Sequence, residues 1–359
     1  MLPDSAEEFT RRTRRYEEEV IAVKHHRGEP LERGRCNTGS SRRHLHDMWP
    51  RFDGGQESRI ETLGENVLSY VNPSEFAVKM VDAGEAKVFL STRDTIIRAY
   101  MAGAILALAA AFAVTVTVRT GEPLLGALLF PVGFCLLYLM GFDLLTGVFT
   151  LVPLALIDKR RGVTVKSMLR NWSWVFLGNF LGAFTVAVMM AVIVTYGFSV
   201  DPDEVGRQLG EIGHSRTVGY AEHGAAGMLT LFIRGVLCNW MVSTGVVGAM
   251  MSTSLPGKVL AMWMPVMVFF YMGFEHSIVN MFLFPSGLML GGDFSIGDYL
   301  VWNEIPTVIG NLVGGLTFVG LTIYITHART AADRRPVSHD ETAEVDVAAP
   351  AEIESVKTV

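Results

Sequence analysis

GFEHSIVNMFLFP, residues 273–285, decides how this 359-residue chain is read. It places Glu275 and His276 inside a run otherwise apolar enough to lie in a lipid bilayer. An ionisable group at membrane depth costs about 2.5 kcal/mol or more, so such groups usually face a cavity and mark a transport path. The pattern occurs earlier as GFDLLTGVFTLVP, residues 141–153. Gly141, Phe142, Asp143 and Pro153 match Gly273, Phe274, Glu275 and Pro285 at a constant offset of 132.

The register continues without a gap. Asn171 matches Asn303, Gly178-Asn179 matches Gly310-Asn311, and Gly182 matches Gly314. Residues 141–184 and 273–316 share nine identities in 44 positions, so the chain reads as two copies of one three-helix unit. Ile97-Arg98-Ala99 before the first copy resembles Ile233-Arg234-Gly235 before the second. Three crossings is an odd number, so the copies take opposite orientations. Inverted repeats with broken helices at their interface are a plan of transporters and channels.

Composition agrees with a multi-span, all-α membrane protein: half the residues are hydrophobic and the mean hydropathy is +0.34. The net charge of -6 sits mainly in the tails and says little about partners. Cys36, Cys135 and Cys238 make no metal-ligand spacing, so neither a disulfide framework nor a zinc site is indicated. The methionines read as packing, with no paired Cys or His to make them metal ligands. No N-terminal apolar signal region is present, and the first membrane helix is expected to direct targeting. There is no nucleophile–base set, metal cluster or nucleotide-binding loop, so no enzyme and no cofactor is expected.

Residues 1–68 are polar, with Arg11, Arg12, Arg14 and Arg15 followed by Glu17, Glu18 and Glu19. A solvated, disordered extension is expected there, and the acids nearly balance the bases, which argues against a nucleic-acid partner. Asn72-Pro73-Ser74-Glu75 opens a short amphipathic helix to Leu90, capped by Ser74, with Phe76, Met80, Ala83 and Val88 on one side. The transmembrane domain covers residues 69–328, with repeats at 96–196 and 227–326. Its spans are expected at 96–118, 124–157, 171–196, 227–251, 258–290 and 303–326, with a polar loop at 197–226. Spans 2 and 5 exceed the ~20 residues of one straight crossing. They are read as broken, with a re-entrant loop over 141–149 and a break at Gly273–Val279. Residues 329–359 form an acidic, disordered tail.

Lys159, Arg160, Arg161, Lys166 and Arg170 lie between spans 2 and 3, and Lys79, Lys87, Arg93, Arg98, Arg329, Arg334 and Arg335 fall on the same side. The opposite side has Arg119, Arg207 and Arg216. This bias puts both termini in the cytoplasm and the protein in the inner (cytoplasmic) cell membrane.

The motifs GFDLLTG, NWSWVFLGNFLGA, RGVLCNWMV, GFEHSIVNMFLFP and PTVIGNLVGG, in this order over about residues 70–328, resemble those of the formate/nitrite transporter family. The resemblance implies an aquaporin-like protomer of six helices in a lipid-embedded homopentamer, each protomer with its own pore. It implies transport of protons and small monovalent weak-acid anions such as formate, nitrite, hydrosulfide, acetate or lactate. Carried over residue by residue, His276 is the central pore histidine, Thr146 the loop threonine that hydrogen-bonds it, and Glu275 the acidic neighbour. Asn239 matches an asparagine that helps hold the broken fifth helix. The implied hydrophobic constrictions are Phe130, Phe134 and Phe269 on one side of the histidine, and Leu144, Leu145 and Val242 on the other. The family often places a lysine before the fourth helix. Counting back from Gly235, Glu222-His223 stands there, which makes His223 the vestibule candidate.

The chemistry is coherent. A naked anion pays heavily to enter an apolar constriction, and its neutral acid pays far less. Imidazole titrates near physiological pH, so His276 is the candidate proton relay and Thr146 its orienting partner. The plainer reading is a neutral histidine that only stabilises the helix break. Glu275 and Asp143 sit at equivalent breaks. They are expected to accept freed backbone amides and to pair with Asn239, Asn179 or Asn311, the last two acting as loop anchors. The competing function is a neutral-solute pore for water, ammonia or a protonated acid, although the Asn-Pro-Ala pairs of aquaporins are missing.

Overall fold

The computed structural model describes residues 70–329, and every described element is helical or a turn apart from one isolated bridge at Tyr70. The expectations for residues 1–68 and for the tail beyond Arg329 lie outside the described residues.

Helix α1, Pro73–Phe89, buries Phe76, Met80, Val81, Gly84 and Val88 along one stripe. Its cap is Asn72, whose side chain accepts from the Ser74 amide; Ser74 lies inside the first turn and is not the cap. Helix α2 is Thr92–Thr120, and α3 is Pro123–Leu139 with a bend at Phe130-Pro131. Helix α4 is Leu145–Ile157 and α5 is Val165–Val194. Helix α5 starts six residues before the expected position because Thr164 and Ser167 form a reciprocal cap there.

The expected polar loop 197–226 is instead largely helical: α6 is Glu204–Ser215 and α7 is Val218–Ala221. Val205, Leu209 and Ile212 repeat at helical spacing in α6, and Asp203 caps it. Then come α8, Gly224–Met251; α9, Leu255–Tyr271; α10, Ser277–Met289; and α11, Ile296–Ala328. Helix α11 contains π turns at Leu300–Glu304, Leu316–Leu321 and Tyr324–Ala328. Of these, α2, α5, α8 and α11 are long and apolar enough to cross a membrane, while α3, α4, α9 and α10 are shorter and apolar.

The interruptions are shorter than expected. Residues 140–144 separate α3 from α4, and 272–276 separate α9 from α10, so 145–149 and Ser277–Val279 are already helix. Each upstream helix ends the same way. Gly141 and Gly273 have φ of 71° and 65°, and the next amide bonds back five residues, Phe142 to Leu137 and Phe274 to Phe269. Left-handed backbone at this position favours glycine, which lets the chain turn sharply and start a new helix.

Helix α2 packs along α5, and α8 along α11, in the most extensive helix contacts of the molecule. Gly182 and Gly314 are what let these pairs close. A Cβ at Gly182 would collide with the Tyr100 carbonyl, and one at Gly314 with that of Val236.

Candidate functional site

The two breaks meet in the interior, and matching asparagines fasten them. Asn179 on α5 donates to the carbonyls of Ala99 and Asp143, at 2.8 and 2.9 Å, and accepts from the Leu145 amide that begins α4. Asn311 on α11 donates to the carbonyls of Gly235 and Glu275, at 2.8 and 2.9 Å, and accepts from the Ser277 amide that begins α10. Each asparagine thus satisfies groups that the broken helix leaves unpaired in a medium without water. Asn239 does a different job from the one expected. It donates to the carbonyls of Thr146 and Asn311, so it ties α4 to α11, and among the described residues its hydrogen bonds do not reach the fifth span. Ser243 donates to its oxygen, and Thr150 joins Ser243.

His276 immediately precedes α10 and caps it with its own ring. Nδ1 accepts from the amides of Ile278 and Val279 at 3.2 and 3.3 Å. An Nδ1 that accepts carries no proton, so the ring is the neutral tautomer with its hydrogen on Nε2. Nε2 lies 3.4 Å from the Thr146 hydroxyl on α4. Both side chains are buried. Phe269 stacks on the imidazole, ring centroids 5.5 Å apart, and Phe130 meets Phe269 edge-on and stacks on Phe270.

A cavity lies on each side of this contact. One, of about 370 Å³, is lined by His276, Phe269, Phe274, Leu283, Gln208 and Arg216. The other, of about 220 Å³, is lined by Thr146, Leu144, Phe134, Asp143, Lys87 and Val246. Phe134 therefore lies in the Thr146 cavity with Leu144, not on the Phe269 side where it was expected. Phe130, Leu145 and Val242 are buried in the packing around the breaks and line neither cavity.

The carboxylates pair differently from expectation. Glu275 is not bound by Asn239 or Asn179, and Asn311 reaches only its main chain. Its carboxylate accepts from Tyr220, Asn280 and Asn303 at 2.8, 3.0 and 3.2 Å, with Arg216 at 3.6 Å. Tyr220 in turn accepts from Arg234. Burial, and then the neighbouring Glu275, raise the Tyr220 phenol above its ordinary pKa, so it stays a neutral donor. Asp143 pairs with Lys87 of α1.

Arg216 and Lys87 occupy corresponding places. Asn303 donates to the Arg216 carbonyl and Asn171 to the Lys87 carbonyl, each at 3.0 Å. Each cavity thus holds one cation set against the carboxylate of its own unit. His223, expected as the vestibule residue, is exposed at the start of α8 and lines neither cavity. Arg216 is the cavity-lining cation to which the sequence assigned no site role. Its signal was indirect: the Asn171–Asn303 match says where its carbonyl is held, but only once the contact is known.

Comparison with known proteins gives the family and the fold. The family model described as "Formate/nitrite transporter" matches residues 74–325. The chain is 34% identical over 278 residues to a "Probable formate transporter" of Methanothermobacter thermautotrophicus, covering 73% of this chain and 98% of the relative. It is similar in structure to a "Pentameric formate channel with formate bound", with a TM-score of 0.54 and 26% identity over 65% of this chain and 96% of that one. An "FNT family ion channel" shares the fold, with a TM-score of 0.60 and 24% identity over 70% of this chain and 98% of that one.

Proposed function

Since the chain belongs to the formate/nitrite transporter family, a family of membrane transporters and channels and not of enzymes, we propose that it carries small monovalent weak-acid anions. Formate and nitrite are the first candidates. The path runs from the Lys87 cavity, past the Thr146–His276 contact, to the Arg216 cavity. One observation carries this reading: a buried pair of hydrogen-bonding side chains joins two cavities, each with mostly apolar walls and one cation.

The Nε2–H of His276 and the hydroxyl of Thr146 meet at the junction, and an anion shed of water takes both. Phe269 on one side and Leu144 with Phe134 on the other exclude the hydration shell, so bare charge is penalised and the protonated acid passes more easily. Proton coupling through His276 has a structural condition. A second proton must enter at Nδ1, which two α10 amides already occupy. Relay by the ring is therefore linked to loosening of the α10 cap.

The chain is read as six crossings in an inverted three-plus-three arrangement, the second formed by α3 and α4 and the fifth by α9 and α10. The residues proposed to support the pore are Glu275, Asp143, Asn179, Asn239 and Asn311. The assembly is a homopentamer in the cytoplasmic membrane with both termini inside, by analogy with the pentameric structural relative.

Uptake by proteoliposomes tests this, with formate, nitrite, hydrosulfide and lactate compared across about pH 5 to about pH 8, the range in which imidazole titrates. His276→Asn keeps an acceptor for the α10 amides and removes the titrating ring. Saturable flux whose pH dependence is lost in the variant is the expected result. Equal flux and equal pH dependence would leave His276 as a cap alone. No flux of any anion would favour the neutral-solute pore.

A further inference from the structure

Behind the Glu275 cluster, outside both cavities, a second carboxyl is buried without a cation. Glu304 lies in the first π turn of α11 and is 3% exposed. Oε2 accepts from the Tyr299 hydroxyl at 2.9 Å, and Oε1 has no protein hydrogen-bond partner. Among the described residues no ion pair reaches it, because Arg216 faces Glu275 and Arg234 binds Tyr220. Its electrostatic neighbour is another acid, Glu275. A carboxylate so placed has almost nothing to replace its hydration, and a like charge nearby opposes ionisation further.

The scaffold does not require an acid at this place. In the first unit the matching position is Trp172, whose indole donates to the Val148 carbonyl. A packing aromatic serves there. The carboxyl is thus an addition to the second unit alone. It stands in a π turn, a local irregularity found often at functional sites.

We propose that Glu304 holds a proton in the resting protein and that its charge state sets how readily an anion enters the Arg216 cavity. The claim rests on the anion-transport reading given above. While Glu304 is neutral, Arg216 and Arg234 outnumber the single carboxylate Glu275, and the cavity mouth is electropositive. Once Glu304 loses its proton to solvent, two acids balance two cations and the attraction is gone. Entry therefore weakens as pH rises.

The charged or titratable groups on the elements packed against this turn all belong to one cluster or its edge. They are Arg216 leading into α7, Tyr220 on α7, Arg234 and Cys238 on α8, Glu275 and His276 leading into α10, and Asp298 and Tyr299 at the start of α11. Asp298 is taken up by Ser295. His276 is engaged with α10 and Thr146, so Glu304 is the carboxyl left free to change state.

Glu304→Gln tests the idea, because glutamine keeps an acceptor for Tyr299 and is neutral at every pH. Formate uptake by wild type and variant is compared from about pH 5 to about pH 9, where a buried carboxyl titrates. Equal rates are expected at the acid end. A variant faster by roughly tenfold is expected at the alkaline end, the effect of about one charge on entry to a focusing cleft. A constant ratio across the range overturns the proposal. Infrared difference spectra give a readout that needs no transport. A protonated-carboxyl band that fades with rising pH and is absent from the variant is expected, and no such band overturns the proposal. If neither protein carries any anion, the transport reading fails and the entry claim falls with it, while the band alone decides whether Glu304 holds the proton.

Discussion

The side chains that hold this site together work by completing hydrogen bonds that broken helices leave open. Asn179 and Asn311 do so in matching positions with matching partners, and the charges beside them follow suit. Asp143 is almost fully buried and Lys87 is its cation, reaching in from α1. Removing one partner of such a pair leaves a charge with neither water nor counter-ion. Lys87→Ala is expected to lower stability by about 3 kcal/mol, the cost typical of a buried pair broken on one side. Lys87→Ala with Asp143→Asn should recover most of that loss, since no charge is then stranded. Unfolding of the purified protein in detergent checks both. Equal stability of the single and double variants would show that Asp143 does not depend on Lys87.

At the scale of elements, two helix pairs, α2 with α5 and α8 with α11, set the frame in which the short helices end. Their close approach depends on small residues, because in lipid the gain comes from packing and not from expelling water. Gly314→Leu places a branched side chain against the Val236 carbonyl. It is expected to cost about 1–3 kcal/mol through overpacking and to shift Asn311, three residues earlier, out of reach of Gly235. Thermal unfolding would fall, and anion flux would fall further than the loss of folded protein explains. A variant that melts and transports like wild type would mean that the α8–α11 contact tolerates separation. The π turns of α11 add a register shift to the same helix, and the first of them carries Glu304.

Across the whole molecule, the apolar outer surface is extensive, with Leu108, Leu181, Ile193, Leu229, Leu260 and Ile309 among its exposed residues. On the reading proposed above, lipid covers part of that surface and neighbouring subunits the rest. Native mass spectrometry of the detergent-extracted protein is expected to give a pentamer of 39.4 kDa protomers. A monomer that transports at the wild-type rate would separate the pore from the assembly.

The sequence by itself determined the duplication, the two glycines at which the apolar helices are interrupted and the ionisable residues set beside them. Pattern survives there because a helix break needs a glycine that turns left-handed, a polar anchor and a fixed spacing, as in Gly141 with Asn179 and Gly273 with Asn311. It also marked His276, and the family resemblance added Thr146; the two meet across 130 residues. Other features were on the page but unread: the period of Val205, Leu209 and Ile212 announced α6. What only the tertiary structure decided is which side chains line the two cavities. It put Phe134 in the Thr146 cavity, drew Arg216 to Glu275, left His223 outside both cavities and, among the described residues, gave Glu304 one side-chain partner and no cation. The physical reason is that a helix in lipid is apolar on all its faces, so hydrophobic periodicity no longer tells inside from outside. Helix rotation and packing, set by contacts far apart in the chain, make that choice.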